Sequence, residues 1–379
     1  MSGPRETDVL VVGAGLAGLH LATLLARRGH AVTLVDKRRD LTTSIRTTGI
    51  FVRRTLDDFP LPPDCLGPPI RDVALYPPSL ARPLRLSSTR DEFRVGDMAG
   101  LYRRFTDGAE RAGARVLLGT RYVSLDDDGA RVVGPGGSDG RIRARYVVGA
   151  DGARSRVARD LALDRNERLL VGVEEVYPSP TPGAVPTFHC VLDPRLAPGY
   201  LAWVVDDGEH VHVGTAGYAA RYPEGPWGAL RRLTAGAPGL VPPPGAGPVE
   251  RRAGPIPVGG LLRRISSPRG LLVGDAAGAV SPLTAGGLDP CLRLSDHAVD
   301  VLHEALTLRD PAVLRGYDGA ALRRRFRGRV TMRRMLSLVR SPALMEAAFT
   351  GLRTALGQEA ARRIFFEDRS FPLPAPVPG

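Results

Sequence analysis

VLVVGAGLAGLHLATLLARRGHAVTLVD, residues 9–36, decides the fold. Its apolar run Val9–Val12 ends in Gly13, Gly15 and Gly18 and passes into apolar residues at helical spacing through Leu25, which reads as strand, tight turn and helix. Gly13 makes the turn, Gly15 lets backbone approach a pyrophosphate, and Gly18 lets the helix pack on the strand. The helix start at Leu16 and Ala17 then offers unpaired N–H groups to the phosphates. A second apolar run, Ala31–Val35, ends at Asp36, where a carboxylate meets the hydroxyls of an adenosine ribose, with Lys37 directly after it. A free ribose hydroxyl fits FAD or NAD better than NADP.

Two later segments choose between them. Tyr146–Val148 opens into Gly149, Ala150, Asp151 and Gly152, followed by Ser155. Leu271–Val273 opens into Gly274, Asp275, Ala276 and Ala277, followed by Pro282, Gly286, Gly287 and Leu288. In this order, the three segments resemble the FAD-dependent family that contains para-hydroxybenzoate hydroxylase and the geranylgeranyl reductases, and their span, Val9–Leu288, covers about three quarters of the chain. The resemblance implies that FAD is the cofactor, that Asp151 with Gly152 lies near the pyrophosphate, and that Gly274 and Asp275 meet the ribityl chain. It also implies that Pro282–Leu288 brings a helix N-terminus to the pyrimidine edge of the flavin, where N–H groups and the helix dipole favour negative charge. Arg46, in SIRTTGI, matches the position of a family arginine over the phosphates or flavin.

The chain also departs from the family. Hydroxylases of this type usually follow GDAA with His, whereas here Gly278 follows, and GDAAG with PLTAGG looks more like the reductases. The reductases carry Tyr-x-Trp-x-Phe-Pro, and the nearest match, Tyr200 and Trp203, has the spacing off by one and lacks the Phe-Pro. Asp97 stands where relatives commonly have Arg; Arg103 or Arg104 can substitute or be surface charges. Flavin-dependent halogenases, also similar, need a tunnel lysine, and Lys37, the only lysine, sits at the wrong end of the cofactor.

The fold expected is α/β: a Rossmann-like FAD-binding domain of glutathione-reductase type, an antiparallel β-sheet substrate domain, and C-terminal helices. Residues 1–68, 98–160 and 268–305 would build the cofactor domain from strands alternating with helices. Residues 69–97 and 161–267 carry strand-like stretches such as LLVGVEEVY, TFHCVL, YLAWVV and HVHVGTAGY, separated by Pro- and Gly-rich turns. GPGGSDG, residues 134–140, reads as a hairpin loop. Residues 306–379 read as helices and a Pro-rich tail, FPLPAPVPG, of the composition that stays partly disordered.

The net charge of +12 does not imply nucleic acid. Its arginines run along the whole chain without interleaved aromatics, as GC-rich coding would produce. The cluster Arg323–Arg340, with Phe326, Val330 and Leu336 among its charges, reads either as a helix packed on the FAD domain or as a membrane-surface helix. No export signal and no apolar span of membrane length are visible, so a cytoplasmic location is expected. Cys65, Cys190 and Cys291 make no CxxC, and His210 and His212 alternate along a strand.

The leading expectation is an FAD monooxygenase that hydroxylates or epoxidises a small hydrophobic terpenoid or aromatic secondary metabolite. The alternatives are reduction of isoprenoid double bonds and a redox-neutral cyclisation. NADPH or NADH bound transiently, or a separate reductase, would supply electrons. His189, Tyr200 and Trp203 lie on stretches expected to roof the flavin and are the candidates for the substrate pocket; no catalytic residue is assigned.

Overall fold

The computed structural model describes residues 5–179, 185–236 and 247–366. Its cofactor sheet has eight strands. Five run parallel, in the order Gly270–Leu272, Asp139–Gly149, Arg5–Val12, Val32–Asp36 and Arg115–Leu118. Val9–Val12 are buried, as a strand covered on both faces requires. The helices Leu16–Arg27, Met98–Arg111 and Leu288–Leu308 pack beside one another, and Leu19, Leu101 and Leu292 join them to the strands in one core. Strand order reverses on either side of Arg5–Val12, so its carboxyl end, at Gly13, is the crevice where open α/β sheets bind ligands. The hairpin Arg121–Asp126 and Gly129–Val133 extends this sheet through antiparallel pairing with Asp139–Gly149, and the turn between the last two strands contains GPGG.

The second sheet has seven strands, in the order Glu250–Pro257, Leu169–Pro178, His210–Gly217, Ala202–Asp206, Thr187–Val191, Asp72–Tyr76 and Leu84–Ser87. It departs from the expected antiparallel pattern at one pair: Thr187–Val191 and Asp72–Tyr76 are parallel, because a long stretch of chain separates them and no hairpin joins them. Phe93–Val95 also leaves this sheet and pairs with Ile50–Val52, and Ser266–Ser267 belongs to the cofactor sheet.

One face of the second sheet packs on the helix Gly225–Gly236 through Val173, Val204, Val213 and Leu230. The opposite face is shared. Its outer half is covered by Met345, Phe349, Ala361 and Phe366 of the helices Pro342–Leu352 and Ala355–Phe366. The remainder faces the cofactor domain. The helix Ala320–Leu338 joins the two bodies, with Leu322 and Phe326 in the cofactor core and Leu336 against the sheet cluster. Phe326 and Val330 pack on the FAD-domain core as expected, and Leu336 reaches the second sheet as well. Among the described residues, no helix is long and apolar enough to cross a membrane. The tail FPLPAPVPG lies outside the described residues.

Candidate FAD and substrate site

Gly13 has φ +110°, and a Cβ there would lie 2.2 Å from the Ala150 carbonyl oxygen, so this turn and the Ala150–Asp151 turn fit only without a side chain. A Cβ on Gly18 would strike the Gly13 carbonyl, whereas Gly15 has nothing within 4 Å and faces open space. The helix Leu16–Arg27 has no side-chain N-cap. Its first N–H groups are therefore available to an anion at the mouth of the turn.

Asp36 marks the other end of the crevice. Its carboxylate accepts from Ala14 N at 2.8 Å and from the backbone and guanidinium of Arg38 at 2.8–3.1 Å. Burial works against the charge, but Arg38 and the backbone donors hold the carboxyl below its ordinary range. Arg38 also lies over the Tyr102 ring, 5.7 Å from its centroid. The basic residue built into this end is Arg38; Lys37 is exposed.

Asp151 sits beside the Gly13 turn, and its carboxylate accepts from Ser155 Oγ, Arg156 N and Val157 N, capping the short helix Arg156–Asp160. Burial raises its carboxyl, and those bonds offset part of the rise. The side chain thus holds the loop in shape, and Gly152 follows in a left-handed conformation.

Asp275 behaves differently. Among the described residues no donor bonds its carboxylate, and burial pushes its pKa up to about 6. A Cβ on Gly287 would lie 3.6 Å from Asp275 Oδ1, which puts the carboxylate at the start of the helix Leu288–Leu308. That helix also lacks a side-chain N-cap. An acceptor without donors beside a helix end with free donors matches a ligand that carries hydroxyls and an electron-rich edge, as the ribityl chain and pyrimidine ring of FAD do. Gly274 packs on the first helix, where its Cβ would meet Ala17 at 3.0 Å. Gly278, where hydroxylases have His, has φ +74°, and a Cβ there would lie 2.6 Å from the Gly260 carbonyl, so a larger residue has no room. The turn Ser281–Gly286 then carries Pro282 and closes through Ser281 N to Gly286 O at 2.9 Å.

The second sheet meets this site through a row of paired residues. Arg252, Glu174, Gly214, Trp203 and Cys190 stand opposite one another on successive strands and share a face. The Trp203 indole lies over Gly214, where a Cβ would come within 2.1 Å of the ring. Trp203 Nε1 donates to Glu174 Oε2 at 3.1 Å, Arg252 donates to Glu174 Oε1 and to the Thr47 carbonyl, and Thr48 Oγ1 donates to Glu174. His212 stands between Glu174 and Asp207, at 3.2 and 2.9 Å. Burial alone would lower the His212 pKa, but the two carboxylates raise it to about 9, and Glu174 and Asp207 are held low in return. The loop that carries Arg46 is thereby fixed to the sheet, with Arg46 itself exposed near Gly254.

Tyr200 donates from its phenol to the Thr284 carbonyl of the Pro282–Leu288 stretch, and with Trp203, Tyr218, Ile256 and Ala285 it forms an apolar cluster between sheet and cofactor loop. Arg333 stacks on Tyr200 and Tyr218, 5.0 and 5.7 Å from their centroids, and is 3% exposed. Among the described residues its guanidinium nitrogens bond no acceptor, and burial lowers its pKa. His189, expected at the pocket, is a correction. It pairs with Val204, whose side chain joins the cluster against the helix Gly225–Gly236, and it bonds Tyr76 there at 3.0 Å. Strand alternation turns His189 away from Trp203. Asp97 caps the helix Met98–Arg111 through Gly100 N, Arg104 pairs with Asp64 at the surface and Arg103 is exposed, so neither arginine enters the site.

An FAD-binding domain model matches residues 6–59 and 99–191. A digeranylgeranylglycerophospholipid reductase of Methanothrix thermoacetophila is 31% identical over 326 residues, covering 81% of this chain and 80% of that protein. The chain belongs to the FAD-dependent para-hydroxybenzoate hydroxylase and geranylgeranyl reductase superfamily. It is an FAD-dependent oxidoreductase. A geranylgeranyl bacteriochlorophyll reductase-like protein of Thermoplasma acidophilum superposes with a TM-score of 0.83 at 20% identity, covering 97% of this chain and 98% of the other. The p-nitrophenol 4-monooxygenase of Pseudomonas putida superposes with a TM-score of 0.70 at 19% identity, covering 97% and 98%. Both share the fold.

The sequence alone does not single out Arg38, Tyr102, Glu174, His212 or Arg333, which the fold brings to the crevice and its wall. One signal was available: paired Glu174 and Glu175 interrupt the otherwise apolar strand LLVGVEEVY, and a charge there needs a buried partner.

Proposed function

We propose that this protein reduces carbon–carbon double bonds of an isoprenoid substrate, in preference to the monooxygenation that the sequence alone favoured. The observation that carries this reading is the kinship, at 31% identity over four fifths of both chains, to a digeranylgeranylglycerophospholipid reductase. The site is compatible with it. Tyr200, Trp203, Ile256 and Ala285 offer an apolar wall beside the cofactor loop, suited to a flexible hydrocarbon.

Bound FAD supplies a hydride equivalent once it has been reduced; a proton completes the addition across the double bond, so the alkene gains both hydrogens. The protein's part is to hold the hydrocarbon and limit water. Trp203 is locked by Glu174 and Gly214, so this part of the wall is rigid. Glu174 is a poor proton donor, because His212, Arg252 and Thr48 hold it ionised, and His212 is engaged by two carboxylates. Neither group is therefore the proposed proton source, and water is proposed in that role. NADPH, NADH or a separate reductase remains the proposed electron source.

The test is anaerobic incubation of dithionite-reduced holoprotein with a geranylgeranyl lipid, followed by mass spectrometry. A gain of hydrogen at the prenyl chain is the expected result. Products that instead gain oxygen, and only in air, would return the protein to the monooxygenases.

A further inference from the structure

The outer face of the helix Ala320–Leu338 changes character along its length. Arg324 and Arg327 are exposed on its first half, and Met332, Met335 and Leu338 on its second. Met335 is 58% exposed, Leu338 74%, and Leu344 of the next helix 55%. Of eight exposed large apolar residues among the described ones, five fall between residues 332 and 356, so they are concentrated here and are not the usual scatter.

The charge is equally one-sided. Residues 323–340 contain eight arginines, and residues 319–345 contain no acidic residue. Beside the helix runs a groove of about 620 Å³ with Leu261, Phe326 and Val330 along it and Arg263, Arg323, Arg324, Arg327 and Arg334 around it. Among the described residues none of these five arginines has a carboxylate partner; Arg323 spends its guanidinium on the Leu262 and Asp318 carbonyls. Elsewhere in the chain exposed arginines do pair, as Arg131 with Asp139 and Arg264 with Asp164.

Cations without counter-ions next to protruding apolar side chains are the composition of a helix that lies in a bilayer interface. We infer that this face docks the protein on an anionic lipid bilayer: Met335, Leu338 and Leu344 enter the boundary between headgroups and acyl chains, and the groove arginines take lipid phosphates. The placement suits a lipid-borne substrate. A Cβ on Gly260, in the groove wall, would lie 3.3 Å from Val330 and 3.7 Å from Pro282, so the groove backs directly onto the cofactor loop. In that respect the inference rests on the isoprenoid reading, but docking is measured without turnover.

The experiment is co-sedimentation of the full FAD-loaded chain with phosphatidylglycerol vesicles and with phosphatidylcholine vesicles. Binding to the anionic vesicles alone, weakened by added salt, is expected. The double variants M335E/L338E and R324E/R327E should each weaken partitioning roughly tenfold or more while FAD content and Tm stay at the parental values. Three results would overturn the inference: parental protein that stays in the supernatant, equal partitioning onto both vesicle types, or double variants that bind like the parent. So would a homodimer that M335E/L338E dissociates with no vesicle binding, or stabilisation by inorganic phosphate, lost in R324E/R327E, without vesicle binding. Vesicle binding that persists when no prenyl chain is reduced refutes the reductase reading and leaves the docking face standing.

Discussion

Asp275 carries its charge where burial penalises it and, among the described residues, no donor relieves it, which raises its pKa to about 6. A carboxyl raised on folding stabilises the empty protein below its unfolded value of 3.8, and that contribution is lost as pH rises through about 6. Hydroxyls of a ribityl chain, the partner proposed for Asp275, would bond the ionised form best. FAD affinity should therefore fall as pH drops below about 6, a change read by fluorescence titration of the apoprotein. Asp275→Ala should flatten that profile and lower flavin occupancy in protein whose circular dichroism is unchanged; a variant with full stoichiometric FAD and the same pH profile would remove Asp275 from the site. Arg333 poses the same problem with the opposite sign. Its burial is relieved in part by the faces of Tyr200 and Tyr218, a stacking worth on the order of 2 kcal/mol when desolvated.

At the level of elements, the second sheet depends on a charged cluster inside it. Glu174, His212, Asp207 and Arg252 tie three strands and the Thr47–Thr48 loop together. His212, raised on folding to about 9, contributes stability below its ordinary 6.5 that is lost as pH climbs through about 9. Glu174 and Asp207, lowered on folding, contribute above the ordinary carboxylate range and lose it as pH falls through their depressed values. Through this cluster, urea midpoints should thus hold level between the ordinary carboxylate range and pH 6.5, decline from 6.5 to about 9, and decline again in acid. His212→Gln should cost about 3 kcal/mol near neutral pH, because the partly buried Asp207 loses its cation and the buried Glu174 keeps only Arg252, and should erase the alkaline decline. An alkaline decline that survives the substitution would place its cause elsewhere. The cluster also shows what a sequence can and cannot convey. The places of Gly13, Gly15, Gly18, Asp36 and Asp275 in the fold are legible because each lies within a few residues of a strand end, where spacing alone fixes geometry. His189 and Trp203 are not, because they lie on neighbouring strands whose register decides which face each takes, and register depends on partners distant in the chain. Tyr200, on the loop before Trp203, became placeable only through its bond to Thr284, more than eighty residues on.

For the whole molecule, the crevice proposed for FAD is assembled from segments that span most of the chain: the turns at Gly13 and Ala150, Asp36, and the stretch Asp275–Leu288. Around that stretch, Arg329 of the helix Ala320–Leu338 bonds Ser281 and Tyr200 bonds Thr284, so that helix and the second sheet's cluster both rest on the cofactor loop. A ligand that fills the crevice therefore stabilises contacts between bodies as well as within one. At a free FAD concentration a hundred times Kd, the linkage is worth about 2.7 kcal/mol. Removing FAD should lower Tm by several degrees and should do so unevenly: amide exchange should rise first in residues 42–49 and 281–288, while Val9–Val12 and Val32–Val35, buried in the parallel sheet, keep their protection. The exchange pattern is the informative reading, because a ligand held only by the first turn would protect residues 13–18 and leave 281–288 indifferent. Equal exchange at 281–288 in the apo and FAD-loaded protein would mean that the cofactor loop is shaped by Ser281, Thr284 and their protein partners alone, and that the helix end at Leu288 is not a flavin contact.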